Sequence, residues 1–214
     1  EELGKIKEEL EGRKKKRRVM KKIAKIGEDE DDAFLGYMMG VVLRELGDVD
    51  GAKREMISSV NRFPNNVSAW FDLARMCTSF GEAVGMAKGA TAVLRQHWMV
   101  EFFVARAAIE TQSHSEAKGL ISVLIEKFPR SRFVAGELAM AHNGMRELGD
   151  AEGILRRLHE SDIHDLDRMD ILSNVLYVRE DSSGLSELAR IAEETDRHRP
   201  ETCMIVGNLY SLKG

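Results

Sequence analysis

The chain has 214 residues, 43% hydrophobic and 32% charged, a soluble globular balance that allows one or two domains with a substantial core. No run approaches 18 consecutive apolar residues and the first 32 are mostly charged, so neither a membrane helix nor a secretory signal core is expected. A net charge of −4 argues against a nucleic-acid partner, and Cys77 and Cys203, 126 positions apart with no CxxC or metal quartet, point to a reducing compartment.

Only Pro64, Pro129 and Pro200 interrupt a chain rich in Ala, Leu, Met, Glu, Lys and Arg, and no alternating β-branched run occurs. The predicted class is all-α. Residues 1–32 read as a charged N-terminal helix or linker, with Leu3, Ile6 and Leu10 on one side. Arg13 to Arg18 is a run of six cations, and Glu28 to Asp32 is an acidic run. A solvated helix face or linker, a nuclear-import signal and a nucleic-acid contact are the readings of the basic run. The absence of aromatic residues there weakens base stacking.

Residues 33–214 carry a repeat. Starting from Gly40, small residues recur at Ala74, Ala105, Ala139, Ser173 and Gly207, at intervals of 34, 31, 34, 34 and 34. Ala52, Ala117 and Ala151 mark a second series, and Pro64 and Pro129 lie 65 apart. A period near 34 with small residues at fixed phase and a closing proline is the tetratricopeptide signature. It predicts a right-handed superhelical solenoid of antiparallel helix pairs, about five full repeats and the first helix of a sixth. Small residues are needed where two helices cross closely. In the first unit Gly47-Asp48 breaks the chain between helices. In the second, Trp70, Leu73 and Ala74 occupy the tryptophan–leucine–glycine positions and Phe80-Gly81 is expected to end the first helix. The third unit begins at Trp98 and the fourth at Arg132, with Leu148-Gly149-Asp150 leading into its second helix. The fifth turns at Asp181–Gly184, and the sixth starts at Pro200.

No chemistry-bearing constellation stands out. There is no glycine-rich phosphate loop, GxSxG or HExxH. His159 and His164 read as loop residues on different faces, and His97, His114, His142 and His198 lack partners at ligand spacing. Cys77 and Cys203 fall at packing positions and are expected to be buried. The expectation is a non-enzyme without cofactor, metal or small-molecule substrate.

Positions 2, 5, 9 and 12 of each first helix are expected to face the concave side. They place Phe34, Tyr37, Val41 and Arg44, then Phe71 and Arg75, then Met99, Phe102, Arg106 and Ile109 on one protein-binding groove. Aromatic residues and arginine are enriched at protein interfaces. A cochaperone-type carboxylate clamp is disfavoured, because its Lys and Asn are replaced by Tyr37 and Val41, Phe71 and Arg75, and Phe102 and Arg106.

Four segments, residues 36–46, 98–105, 168–179 and 199–213, resemble the subunit-eight (cell-division-cycle) scaffold family of the anaphase-promoting complex. The resemblance spans roughly residues 33–214 and is weak over 1–32. It implies a noncatalytic homodimer, paired through N-terminal repeats within a multisubunit ubiquitin ligase of mitosis. It further implies other subunits of that complex as partners, location in nucleus and cytoplasm, and repeats beyond those present here. The competing reading is a monomeric adaptor holding a linear peptide in the same groove.

Overall fold

The computed structural model describes residues 32–214, which are helical throughout with short connections. They form two compact units, one ending at Phe103 and the other running from Val104 to Gly214. None of the described helices is long and apolar enough to cross a membrane.

The first unit opens with helix α1 (Ala33–Glu45), whose first turn is capped by the Asp32 carboxylate accepting from the Phe34 N–H at 2.8 Å. Gly47, at φ +83°, turns the chain in the left-handed region. Asp48 then accepts from the Gly51 N–H at 2.9 Å and starts α2 (Val49–Arg62). The two helices touch at Gly40. A Cβ there would lie 2.7 Å from Met56 Cγ and 3.2 Å from the Ala52 carbonyl oxygen. Helix α3 (Val67–Met76) is capped by Asn66, and the Trp70 indole N–H donates to the Pro64 carbonyl at 2.8 Å. This bond ties the closing proline of one repeat to the marker tryptophan of the next.

Phe80-Gly81 does not end α3. The chain leaves that helix at Cys77, and Phe80 opens α4 (Phe80–Gly89). The reason is the Ser-x-x-Glu sequence from Ser79 to Glu82. Ser79 Oγ accepts from the Glu82 N–H at 3.2 Å, while Glu82 reaches back to the Thr78 N–H at 2.7 Å. Helix α4 has 10 residues against 14 in α2, and is followed by the single turn α5 (Ala92–Arg95). The shortened helix accounts for the 31-residue interval. It leaves a cavity of about 280 Å³ walled by Val60, Trp70, Leu73, Met86, Leu94 and Phe103. The Trp70 and Phe103 rings lie 5.3 Å apart across it.

The second unit comprises the rest of α6 (Trp98–Glu110), α7 (His114–Lys127), α8 (Arg132–Gly144), α9 (Leu148–Ser161), α10 (Met169–Val178), α11 (Ser182–Asp196) and α12 (Pro200–Lys213). Ser131 caps α8 and Asp181 caps α11. Leu148–Asp150 opens α9 as expected, whereas Ser182–Gly184 is the first turn of α11 rather than a connecting turn. Pro200 takes the first position of α12, where its missing N–H costs nothing. Leu155, Leu166, Leu172, Leu176, Leu185 and Ile205 build the core between α9, α10, α11 and α12.

Ala52, Trp70, Ala74, Ala105, Ala117, Ala139, Ala151 and Ser173 are all buried. Gly207 is not. It is exposed, with no heavy atom within 4 Å of where a Cβ would stand. Helix α12 buries Thr202 and Ile205 instead, so its small-residue face is turned outward.

Candidate functional site

Helix α1 buries Gly36, Gly40 and Leu43 against α2. Its opposite edge carries Phe34 and Met38, 55% and 56% exposed, one helical turn apart. The Phe63 ring, also exposed, lies 5.4 Å from Phe34. These three side chains are an open apolar patch, of which the repeat phase pointed to Phe34 alone.

Tyr37 and Arg44 lie on the flank facing α3, not on the open edge. Tyr37 Oη donates to Asp72 Oδ2 at 3.0 Å, and Arg44 Nη1 pairs with Asp72 Oδ1 at 2.9 Å. Asp72 is 7% exposed. Burial, then the bond to Asp72, hold the Tyr37 hydroxyl above its ordinary range, so it stays a neutral donor. Arg44 is therefore committed to a buried carboxylate, whereas Arg75 is largely exposed and approaches Asp72 at 3.5 Å. Val41 and Phe71 are half-buried.

Met99 and Ile109, expected in the groove, are 1% and 5% exposed and belong to the core. Helix α6 is apolar around nearly its whole circumference, with Val100, Phe103, Ala107 and Ala108 buried as well. Such a helix has no free concave stripe. Phe102 is half-buried, set edge-on to the exposed Trp98 ring at 5.4 Å.

In the second unit Arg106 is pinned between two carboxylates. Its Nη1 donates to Glu137 at 2.9 and 3.1 Å, and its Nη2 to Glu110 at 2.6 Å. Glu137, 5% exposed, also accepts from Arg168 Nη2 at 2.7 Å. The Arg168 guanidinium in turn lies 5.0 Å over the Phe133 ring. Burial opposes the charge on Arg106, but Glu137 and Glu110 overcome it and raise its pKa. Gly136 is what lets Arg168 lie there, since a Cβ would come within 2.7 Å of its Cδ and Nε. Sequence reading missed Asp72, Glu137 and Arg168. Asp72 and Glu137 lie 65 apart, one repeat pair, and each is a lone acid inside an apolar helical run. That is the signal by which they could be found.

The histidines and cysteines depart from expectation in three places. His159 sits on α9 rather than in a loop. His142 has a partner, since its Nδ1 lies 2.5 Å from Glu147 Oε2 and 3.8 Å from Asp150 Oδ2. The three donor atoms fall within 4.8 Å of one another, close enough for a metal. Lys118 Nζ, however, stands 2.9 Å from the same Glu147 oxygen and already supplies the positive charge. Lys118 and then His142 hold the Glu147 carboxyl below its ordinary value. The group reads as an ion-pair network. Cys77 is buried as expected, but Cys203 is exposed.

The sequence model of the family described as "Anaphase promoting complex subunit 8 / Cdc23" matches residues 1–139, taking in the charged head that the sequence reading set apart. Anaphase-promoting complex subunit 8 of Arabidopsis thaliana is 38% identical over 183 residues, 86% of this chain and 31% of that protein. The Dictyostelium discoideum subunit 8 is 33% identical over 85% of this chain and 30% of that protein. The Homo sapiens cell division cycle protein 23 homolog is 34% identical over 75% of this chain and 26% of that protein. The chain thus spans less than a third of the length of these relatives. Among solved structures, MamA (residues 41 to the end) of Desulfovibrio magneticus RS-1 superposes with a TM-score of 0.53 at 13% identity, over 80% of this chain and 98% of that one, a likeness of fold alone.

Proposed function

The chain belongs to the anaphase-promoting complex subunit 8 / Cdc23 family, and from that premise we propose that it is a noncatalytic repeat scaffold of that complex, joined to a second copy of itself through its first hairpin and to other subunits through its remaining surfaces. Ubiquitin transfer then falls to other subunits, and the protein works in the nucleus and cytoplasm. Nucleic acid, membrane and small-molecule substrates have no part in this reading.

The observation that carries the self-association is the patch of Phe34, Met38 and Phe63, large apolar side chains exposed together on the first hairpin. Exposed apolar clusters of this kind mark association surfaces. Burying the exposed half of Phe34 and of Met38 against a partner would contribute about 1 kcal/mol each. Light scattering of the chain at micromolar concentration should give the mass of a dimer. Phe34→Glu combined with Met38→Glu should give a monomer with unchanged helix content. A wild-type monomer, or a double variant that still dimerises, would remove the reading.

A further inference from the structure

The cavity in the first unit is written into the sequence of the second repeat. Ala52, Ala83, Ala117 and Ala151 hold the same place in α2, α4, α7 and α9, 31, 34 and 34 residues apart, and all are fully buried. One helical turn later stand Met56, Ile121 and Leu155, each at most 1% exposed. In α4 that position is Ala87, and the residues that follow it on the cavity wall are Gly89, Ala90 and Thr91. The helix has lost its large side chain, while the opposite walls have not shrunk: Val60, Leu73 and Phe103 remain. About 280 Å³ is left unfilled. Atoms facing such a void have no contact partners on that side, so an apolar molecule that enters gains contacts without displacing any.

The walls select the molecule. Trp70 and Phe103 present two rings tilted 45° to one another, with the Met86 thioether and Leu73 also on the wall. Rings and thioethers favour aromatic faces and edges. The Trp70 N–H is already given to the Pro64 carbonyl, so it offers nothing to a polar ligand. No titratable side chain lines the cavity, so an ionic ligand would find no counter-charge and the place suits binding, not reaction. Its polar side chains are Asn61 and Thr91, both exposed, which marks the mouth between the ends of α2 and α4. None of the large exposed apolar residues among those described borders it, so a protein partner finds no apolar rim to dock on. A cavity of about 150 Å³ holds benzene, and this one has room for two fused rings.

We infer that the cavity binds a small uncharged bicyclic aromatic molecule, its rings against Trp70 and Phe103 and a polar edge at Asn61 and Thr91. Dimerisation through the first hairpin uses other residues, so either can fail alone.

Indole is the probe, followed on the side-chain N–H signal of Trp70 in a nitrogen–proton correlation spectrum of the whole chain, with Trp98→Phe identifying that signal. The signal should move saturably, with its midpoint at about 1 mM. Cyclohexanol, which has the polar group without the π-face, should bind about fivefold more weakly, and glucose should leave the signal unmoved. The peptide GSWGS, which carries the same ring on a chain, should bind more weakly than indole. Ala87→Met, which restores the side chain of the first repeat, should weaken indole about tenfold, and Ala87→Val, a smaller filling, should fall between it and wild type. A Trp70 signal unmoved at about 10 mM indole, cyclohexanol binding as tightly as indole, GSWGS binding more tightly than indole, or folded Ala87 variants that bind like wild type would overturn the inference.

Discussion

Lys53 Nζ lies 2.5 Å from Glu82 Oε1, joining the second helices of the first two repeats. Sixty-five residues on, Lys118 and Glu147 make the same link at 2.9 Å between α7 and α9. A pair that recurs at the repeat spacing acts on how each hairpin stacks on the next. Glu82 accepts from Thr78 as well, so one carboxylate both caps α4 and ties it to α2.

The Lys53 bond, followed by the Thr78 N–H, lowers the Glu82 carboxyl to about 2 from an ordinary value of 4.5. A carboxyl depressed on folding contributes stability that is complete above 4.5 and is lost as pH falls through about 2. Glu82→Gln should therefore cost about 1 kcal/mol at neutral pH, below the full linkage value because the pair is partly solvated. Urea unfolding at neutral pH and near pH 2 reads this directly. The gap between wild type and variant should close at the acid end, and a gap independent of pH would refute it.

Two glycines should respond to alanine with opposite signs. Gly136→Ala would push Arg168 off Glu137 and Phe133, leaving a buried carboxylate half-paired, and should destabilise by about 2–3 kcal/mol. Gly153, in the interior of α9, has nothing within 4 Å of a Cβ. Gly153→Ala should stabilise by about 0.5–1 kcal/mol through helix propensity. Thermal melts of the two variants check both signs; a neutral or stabilising Gly136→Ala would show that the Arg168 arrangement carries no weight, and a destabilising Gly153→Ala would refute the propensity argument.

The two thiols should differ in reactivity. Burial, then the nearby Glu82 charge, push the Cys77 thiol up to about 11, and it is enclosed. Cys203 is open to solvent. Iodoacetamide at neutral pH should add one label to the folded chain, at Cys203, and a second only in denaturant. Peptide mapping after brief labelling decides it, and Cys77 modified at the same rate as Cys203 would refute it.

The sequence alone determined the class, the repeat and the helix starts at Trp98, Arg132 and Pro200. Gly40, Ala74, Ala139 and Ser173 mark helix crossings, and Pro64, Pro129 and Pro200 are local signals, readable because each acts within a turn or two of its own position. The Ser79–Glu82 capping sequence is equally local, and it overrides the helix-breaking tendency of Gly81. The similarity of four segments to a known family was visible in the residues themselves. What the charged head does lies outside the described residues.

The tertiary structure alone decided which charges meet and which apolar residues are open. Arg44 with Asp72, Arg106 with Glu137 and Lys53 with Glu82 are separated by about thirty residues, and their pairing depends on how one hairpin is rotated on the next. Met99 and Ile109 vanished into the core, and Gly207 emerged from it, for the same reason. Periodicity reports which face of a helix is small or apolar, but a repeat helix has neighbours on more than one side. Which flank remains for a partner is settled by the packing of helices distant in sequence.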